Sequence, residues 1–424
     1  MRWEAIMYIP KQQHMFMINK KPMIKYILII ASLILVGQST SAQIAVKGET
    51  IYTVSGKTIK DGVVLIENGK ITKVGTASKV KIPNNFKVYE GKVVTPGLVD
   101  AHTTVGFSGI YNKKDDQMQL EKTAPIQPEL RAIDGYNPRE ELVAYLNSKG
   151  ITTVHTGHGP GAVISGQTFI AKTHGETIEQ VKMDDATMLA MTISPSVSRN
   201  FKSPGTTAKE IAMLRTELLK AQEYQKKKQH ADSDKHPSRD LKMEALVQLL
   251  DGKMKALITV NSANLIMTAI RLADEFKLKL VLDGAAESYL LIDEIKASNA
   301  EVILHPTKAR SYGDMKNMSW ETAAKLSAAG IPIAIQSGYE GYVPKTRVIL
   351  YEAAIAVANG LSFDDGLKSI TINAAKIIGQ EKRVGSIEKD KDADIVIYDG
   401  DPFEYLTHVC TVITNGEVTH QECE

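Results

Sequence analysis

The stretch Val94-Thr95-Pro96-Gly97-Leu98-Val99-Asp100-Ala101-His102-Thr103-Thr104 marks the point where this chain changes character. Upstream, from Gln43 to Val94, short strands of alternating polarity are separated by turns, and Asn68-Gly69 fits a primed hairpin turn. Downstream, apolar strand candidates alternate with amphipathic helix candidates. The upstream style returns only at the end of the chain, in Asp394–Tyr398, Val409–Thr414 and Asn415-Gly416. A two-strand fragment at either end cannot bury a face alone. The two ends are therefore expected to join in one small β unit.

Between the ends, the strand candidates are Leu98–Thr103, Thr152–Thr156, Thr168–Ala171, Ala256–Asn261, Lys279–Asp283, Glu301–His305 and Ile331–Gln336. The helix candidates are Glu140–Lys149, Ala208–Lys228, Leu241–Asp251, Leu265–Phe276, Tyr289–Ser298, Trp320–Ala329, Ile349–Asn359 and Phe363–Gly379. Strand–helix alternation sustained over about 280 residues predicts a parallel sheet, open or closed into a barrel. The polar run Lys220–Asp240 reads as a solvated helix end and loop.

Composition fits that reading. The chain has 424 residues, 43% of them hydrophobic and 24% charged, with two cysteines. This excludes a disordered chain, a disulfide-stapled miniprotein and a polytopic membrane protein. A formal net charge of +2 gives no basic footprint for nucleic acid. Part of that charge belongs to the first 42 residues. Lys20, Lys21 and Lys25 precede the apolar run Tyr26–Val36, and a small polar exit follows, with Thr40 and Ala42 at the −3 and −1 positions of a cleavage site. The pattern predicts a secretory signal peptide, too short in its apolar part to span a bilayer, and hence a periplasmic or secreted product without a stable membrane anchor. Residues 1–42 carry five basic residues and one acid, so the remainder holds 46 basic and 48 acidic residues, a net charge of −2. Spacing leaves open whether Cys410 and Cys423 pair.

Val94–His102 resembles the first barrel strand of the amidohydrolase superfamily. So do Ser369–Gly379 and the run Val384-Gly385-Ser386-Ile387-Glu388-Lys389-Asp390-Lys391-Asp392-Ala393-Asp394-Ile395-Val396. The resemblance is nearest to imidazolonepropionase-like secreted bacterial amidohydrolases. It implies an α/β fold: a distorted TIM (β/α)8 barrel over residues 95–380, with a small β-sandwich formed from residues 43–94 and 381–424. It implies a hydrolase of carbon–nitrogen bonds other than peptide bonds, in which one or two divalent metals such as zinc activate water.

The ligand positions implied by the resemblance are largely substituted. The family's His-x-His at the end of the first strand places two imidazoles on one face, where they share a metal. Here it reads His102-Thr103-Thr104. The fifth-strand histidine falls on Asn261, the sixth-strand histidine on Gly284 and the eighth-strand aspartate on Gly338. His102 alone cannot hold a catalytic zinc, which takes three protein ligands. The expected metal site is depleted, with either a weakly held divalent ion or none.

Other polar groups are candidates for a different site. His155 and His158 lie three apart in a Gly-rich segment, placing both within reach of the barrel mouth. Lys172, Asp283 and His305 stand at the C-terminal ends of strand candidates, the face on which barrels build active sites. Glu340 follows the eighth strand and offers a carboxylate for acid–base work. The alternative for each is a structural cap or a satisfied buried group. The expected partner is a small molecule at the barrel mouth, with a homo-oligomer or pairing with an active paralogue also open. Two functions compete: a divergent hydrolase, and a degenerate amidohydrolase that binds a ligand or partner without turnover.

Overall fold

The computed structural model describes residues 43–423 apart from 112, 231, 233, 235, 306–310, 312 and 339–347. The predicted signal segment and Glu340 lie outside the described residues. No helix among the described residues is long and apolar enough to cross a membrane.

The chain opens with β1 (Ile44–Ile51), β2 (Ile59–Glu67), β3 (Lys70–Thr76) and β4 (Lys87–Pro96). Then come β5 (Leu98–Thr103), β6 (Ile151–Thr156), β7 (Ile164–Gln167), β8 (Phe169–Lys172), β9 (Lys182–Asp184) and β10 (Met188–Thr192). β11 (Lys255–Val260), β12 (Leu280–Gly284), β13 (Glu301–Leu304) and β14 (Ile333–Ile335) follow, each preceded by helix. The chain ends in β15 (Ile395–Tyr398), β16 (Val409–Thr414) and β17 (Glu417–Gln421).

The end segments do meet. They form one seven-stranded sheet in the order β17-β16-β15-β4-β1-β2-β3. Its seam is the antiparallel pair β4·β15, with Ile395 opposite Pro96 and Tyr398 opposite Val93. Alternation puts Ile44, Val46, Val64, Ile66, Ile395, Ile397 and Ile413 into one buried cluster. Asn68-Gly69 and Asn415-Gly416 both hold positive φ at each residue, as a type I′ turn demands. Each turn closes its hairpin, β2·β3 and β16·β17 respectively.

Cys410 and Cys423 are joined in a disulfide across the β16·β17 hairpin, with a sequence separation of 13. Closing a loop of that size removes about 3 kcal/mol of unfolded-state freedom. The double variant Cys410→Ser, Cys423→Ser is expected to lose about that amount in chemical denaturation, and reductant should leave the variant unaffected. A variant as stable as the oxidised wild type would show that the crosslink contributes nothing.

The middle of the chain forms two further sheets, β14-β13-β12-β11-β10-β7 and β5-β6-β8-β9. β10 to β14 are parallel neighbours in sequence order, as the alternation predicted. Thr168 alone separates β7 from β8, so one extended segment contributes to both sheets. At the other edges an isolated bridge joins Thr103 to Gly338. The interior side chains of these strands stack in one cluster: Val99, Ala101, Ile170, Met188, Ala190, Leu257, Val281, Ile303 and Ala334. Ala374, Ala375, Ile377 and Ile378 cover its lower end.

Two expectations need correction. The predicted helix Phe363–Gly379 is two helices, Phe363–Ser369 and Ile372–Ile377. Thr371 leaves helical geometry at φ −138° and ψ −100° and caps the second. Lys172 does end a strand, but β8 runs antiparallel to β6 with Lys172 opposite Thr153. Its C-terminal end therefore lies at the start of β6, away from the strand ends that carry the other candidates.

Candidate functional site

Strand periodicity builds the site. Two residues beyond each apolar interior position comes a polar one on the same face. Leu257 is followed by Thr259, Val281 by Asp283, Ile303 by His305 and Ala334 by Gln336. The apolar stack thus ends in a polar layer at the C-terminal ends of the parallel strands.

Asp283 is the hub of that layer and is fully buried. His102 Nδ1 lies 3.0 Å from its Oδ1. Gln336 Nε2 donates to Oδ1 at 2.6 Å, and Thr259 Oγ1 donates to Oδ2 at 2.6 Å. Burial favours the neutral acid, but His102 and these donors outweigh it and hold Asp283 below the usual carboxylate range. The converse holds for His102. Burial opposes its charged form, yet the Asp283 carboxylate reverses the balance, so the net shift is upward. Asp283 and His102 behave as one buried ion pair.

His155 sits beside them, its ring centroid 5.9 Å from that of His102. Its Nδ1 lies 2.7 Å from the Ala101 carbonyl, which places the proton there. Nε2 therefore accepts, and it lies 2.6 Å from Thr168 Oγ1. Burial, reinforced by the neighbouring His102, pushes this imidazole down to about 3, so it is neutral. His158 is also buried, with its ring centroid 6.3 Å from that of Phe107. Burial pushes it down to about 4 against the pull of the Leu130 carbonyl. Gly166 makes room for it: a Cβ there, at φ +137°, would come within 2.4 Å of the ring.

Asp100 was not among the sequence candidates. Its Oδ1 accepts from the amides of Ser337, at 3.2 Å, and His102, at 3.3 Å. Burial pushes its carboxyl up to about 7, against those amides. Thr259 and Gln336 were missed too. Neither carries charge, and only their period-2 spacing from Leu257 and Ala334 marks them.

The structure brings His102, His155 and Asp283 together. His305 lies nearby, its amide donating to the Gly284 carbonyl at 3.0 Å, and lines a small cavity of about 30 Å³ with Gly284 and Leu304. Lys172 is elsewhere. Its ammonium contacts Asp394, and Asp392 at 3.2 Å, in a buried cluster against the terminal sheet. The substituted ligand positions have other roles. Thr104 Oγ1 pairs with Ser108 Oγ at 3.1 Å, Gly338 bridges to Thr103, and Gly284 adopts φ +84°. Asn261 is buried, and its Oδ1 has no hydrogen-bond partner among the described residues.

A catalytic zinc finds no ready ligand set here. Both ring nitrogens of His155 are engaged, and His102 Nδ1 and Asp283 hold each other. Among the described residues, only Asp399, Cys410 and Cys423 bring three ligand atoms of histidine, cysteine or acid within 4.8 Å of one another. The two sulfurs of that group are bonded together. The described residues therefore do not fit a three-ligand zinc.

Comparison with known proteins supplies relatives. An amidohydrolase family model matches residues 342–420. Imidazolonepropionase from Fusobacterium nucleatum is 25% identical over 400 residues, covering 85% of this chain and 92% of that protein. The amidohydrolase tasK of Hapsidospora irregularis is 26% identical over 376 residues, covering 80% of this chain, which spans only 38% of that longer protein. The crystal structure of an amidohydrolase from Thermotoga maritima MSB8 superposes with a TM-score of 0.84 at 29% identity, covering 89% of this chain and all of that one.

Proposed function

We propose, starting from the fact that this chain belongs to the amidohydrolase superfamily, that it is an exported hydrolase of carbon–nitrogen bonds other than peptide bonds. Its relatives include hydrolases acting on such bonds. We read the two joined sheets as a distorted (β/α)8 barrel, with the polar layer at its catalytic end. The observation that carries the proposal is the Asp283–His102 pair, 3.0 Å apart and centred in that layer. In this reading the pair takes the place of the metal centre. Thr259 and Gln336 orient the carboxylate, and the carboxylate keeps a proton on the imidazole. An imidazolium so held can deliver its proton to a departing nitrogen. Asp100, pushed up to about 7, is the neighbouring carboxyl suited to accept a proton from water. The Cys410–Cys423 disulfide supports an oxidising compartment, in keeping with export.

A second reading is a ligand-binding member of the superfamily without turnover. It is favoured by the engagement of both nitrogens of His155 and by the deep burial of His102 and Asp283.

The deciding experiment combines elemental analysis after mild metal loading with a panel of cyclic amide and imidazolone-type substrates. The expected result is metal well below one ion per chain, and hydrolysis that survives chelator but falls by about 10²–10⁴ in His102→Ala. Activity abolished by chelator and restored by zinc would overturn the metal-independent reading. Saturable binding with no turnover across the panel would replace it with the second.

A further inference from the structure

A second pocket lies at the same end of the parallel strands, beyond β10. It encloses about 190 Å³ and is lined by Ser194, Ser198, Pro204, Thr206, Thr207 and Glu210, among others. No lysine or arginine lines it among the described residues. It connects to the polar layer through the backbone, since the Ile193 amide donates to the Thr259 carbonyl at 3.1 Å.

Two independent features of this pocket call for a ligand. The first is the start of the 22-residue helix Thr207–Lys228. Its cap, Thr206, takes the amide of Lys209 on its hydroxyl at 3.3 Å and that of Glu210 on its carbonyl at 3.0 Å, while Thr207, the first helical residue, has an amide with no partner inside the helix. The second is Glu210. It is only 2% exposed; its carboxyl takes the Ser194 amide, and its Oε1 has no hydrogen-bond partner among the described residues. A buried carboxyl oxygen left unpaired costs free energy that a ligand can recover.

We propose that this pocket binds a small monocarboxylate, seated between the Thr207 amide and the Glu210 carboxyl. The sign of the ligand follows from the donors. The helix start presents N–H groups and positive potential, which favour an anion and oppose an amine. The wall adds hydroxyls and no fixed cation. Burial pushes Glu210 up to about 8, against the Ser194 amide, so at neutral pH it holds a proton to donate. The other acid near this wall is Asp314, which accepts from Ser194 Oγ at 2.7 Å. With two acids close by, a singly charged carboxylate is better tolerated than a phosphate dianion. The volume suits a molecule of a few heavy atoms. The inference concerns binding alone and stands apart from the hydrolase reading.

Thr207→Pro gives a clean test. Thr207 is the first helical residue, where proline fits because its missing N–H makes no intrahelical bond. Thr206 is already extended at φ −142° and ψ 155°, as a residue before proline prefers. The full chain is titrated calorimetrically with sodium acetate, inorganic phosphate and ethylamine near neutral pH. Wild type is expected to bind acetate saturably and in preference to the other two. Thr207→Pro is expected to weaken acetate about ten-fold with an unchanged melting temperature. Glu210→Gln, which keeps a neutral donor, should stay within about three-fold of wild type. The proposal falls if acetate does not saturate, if phosphate or ethylamine binds more tightly, or if Thr207→Pro binds acetate like wild type.

Discussion

Lys172→Met is expected to cost the protein about 3–5 kcal/mol, the range seen when one partner of a buried ion pair is removed. Lys172 is 1% exposed and lies against Asp394 and Asp392. Asp392 shares its charge with Lys70, at 2.6 Å, and Arg383, at 2.9 Å. Asp394 also accepts the Asn415 amide at 2.9 Å. Methionine fills the space of the stem but leaves buried carboxylates short of a cation. The loss should depend on pH. Burial tends to raise Asp392, but Lys172 and the other cations outweigh it and hold its carboxyl below the ordinary value. A depressed carboxylate contributes stability above its unfolded pKa of about 3.9, and loses it as pH falls through the folded value. Without Lys172 that contribution is smaller from the outset, so the gap between variant and wild type should hold down to about pH 4 and narrow as the pH falls below it. Chemical denaturation at several pH values measures this. A cost below about 1 kcal/mol, with no pH dependence, would place the cluster among ordinary surface pairs.

Asp283→Asn is expected to have the second large effect, about 3 kcal/mol. The carboxylate receives His102, Gln336 and Thr259 together. An amide brings its own N–H groups into a ring of donors and removes the charge facing the imidazole. The pH signature has the opposite sense to that of Lys172. His102 is raised in the folded state despite its burial, because of Asp283. A raised imidazole contributes stability that is full below its unfolded pKa of about 6.5 and disappears as pH rises through the folded value. Wild type should therefore lose this contribution on the alkaline side, and Asp283→Asn should show a flatter profile there. Denaturation from about pH 5 to 9, with the His102 imidazole followed by NMR, reads both effects. An unchanged His102 titration in the variant would show that the two groups are not coupled.

Much of the frame was legible in the sequence, because period and punctuation are local properties. β5 begins and ends where Leu98–Thr103 suggested, and both Asn-Gly pairs make the turns their chemistry requires. Asp283 stood out as a lone acid at the end of an apolar strand. His102 and His155 were recognisable as residue types, though not as ring neighbours, since that depends on the pairing of β5 with β6. Strand direction was not legible. A buried antiparallel strand and a buried parallel one both read as apolar runs, so Lys172 was expected at the wrong end. β7 and β10 escaped for a related reason: Ser165, Gly166 and Gln167 interrupt one, and Met188–Thr192 is as compatible with helix as with strand. The pairing of Cys410 with Cys423 required the hairpin register, which no spacing rule provides.

The seven-stranded sheet also bears on how the chain reaches its native state. β4 pairs with β15 across some three hundred intervening residues, so the N-terminal strands wait for partners made last. Such distant pairing slows folding, because loop closure must precede the contacts that reward it. During that wait, the edge of β4 that will face β15 is an open template for other chains. Joining the two ends through a short linker, and opening the chain elsewhere, would turn the seam into a near-sequential pairing. A permutant of that kind should fold faster while keeping the same final sheet.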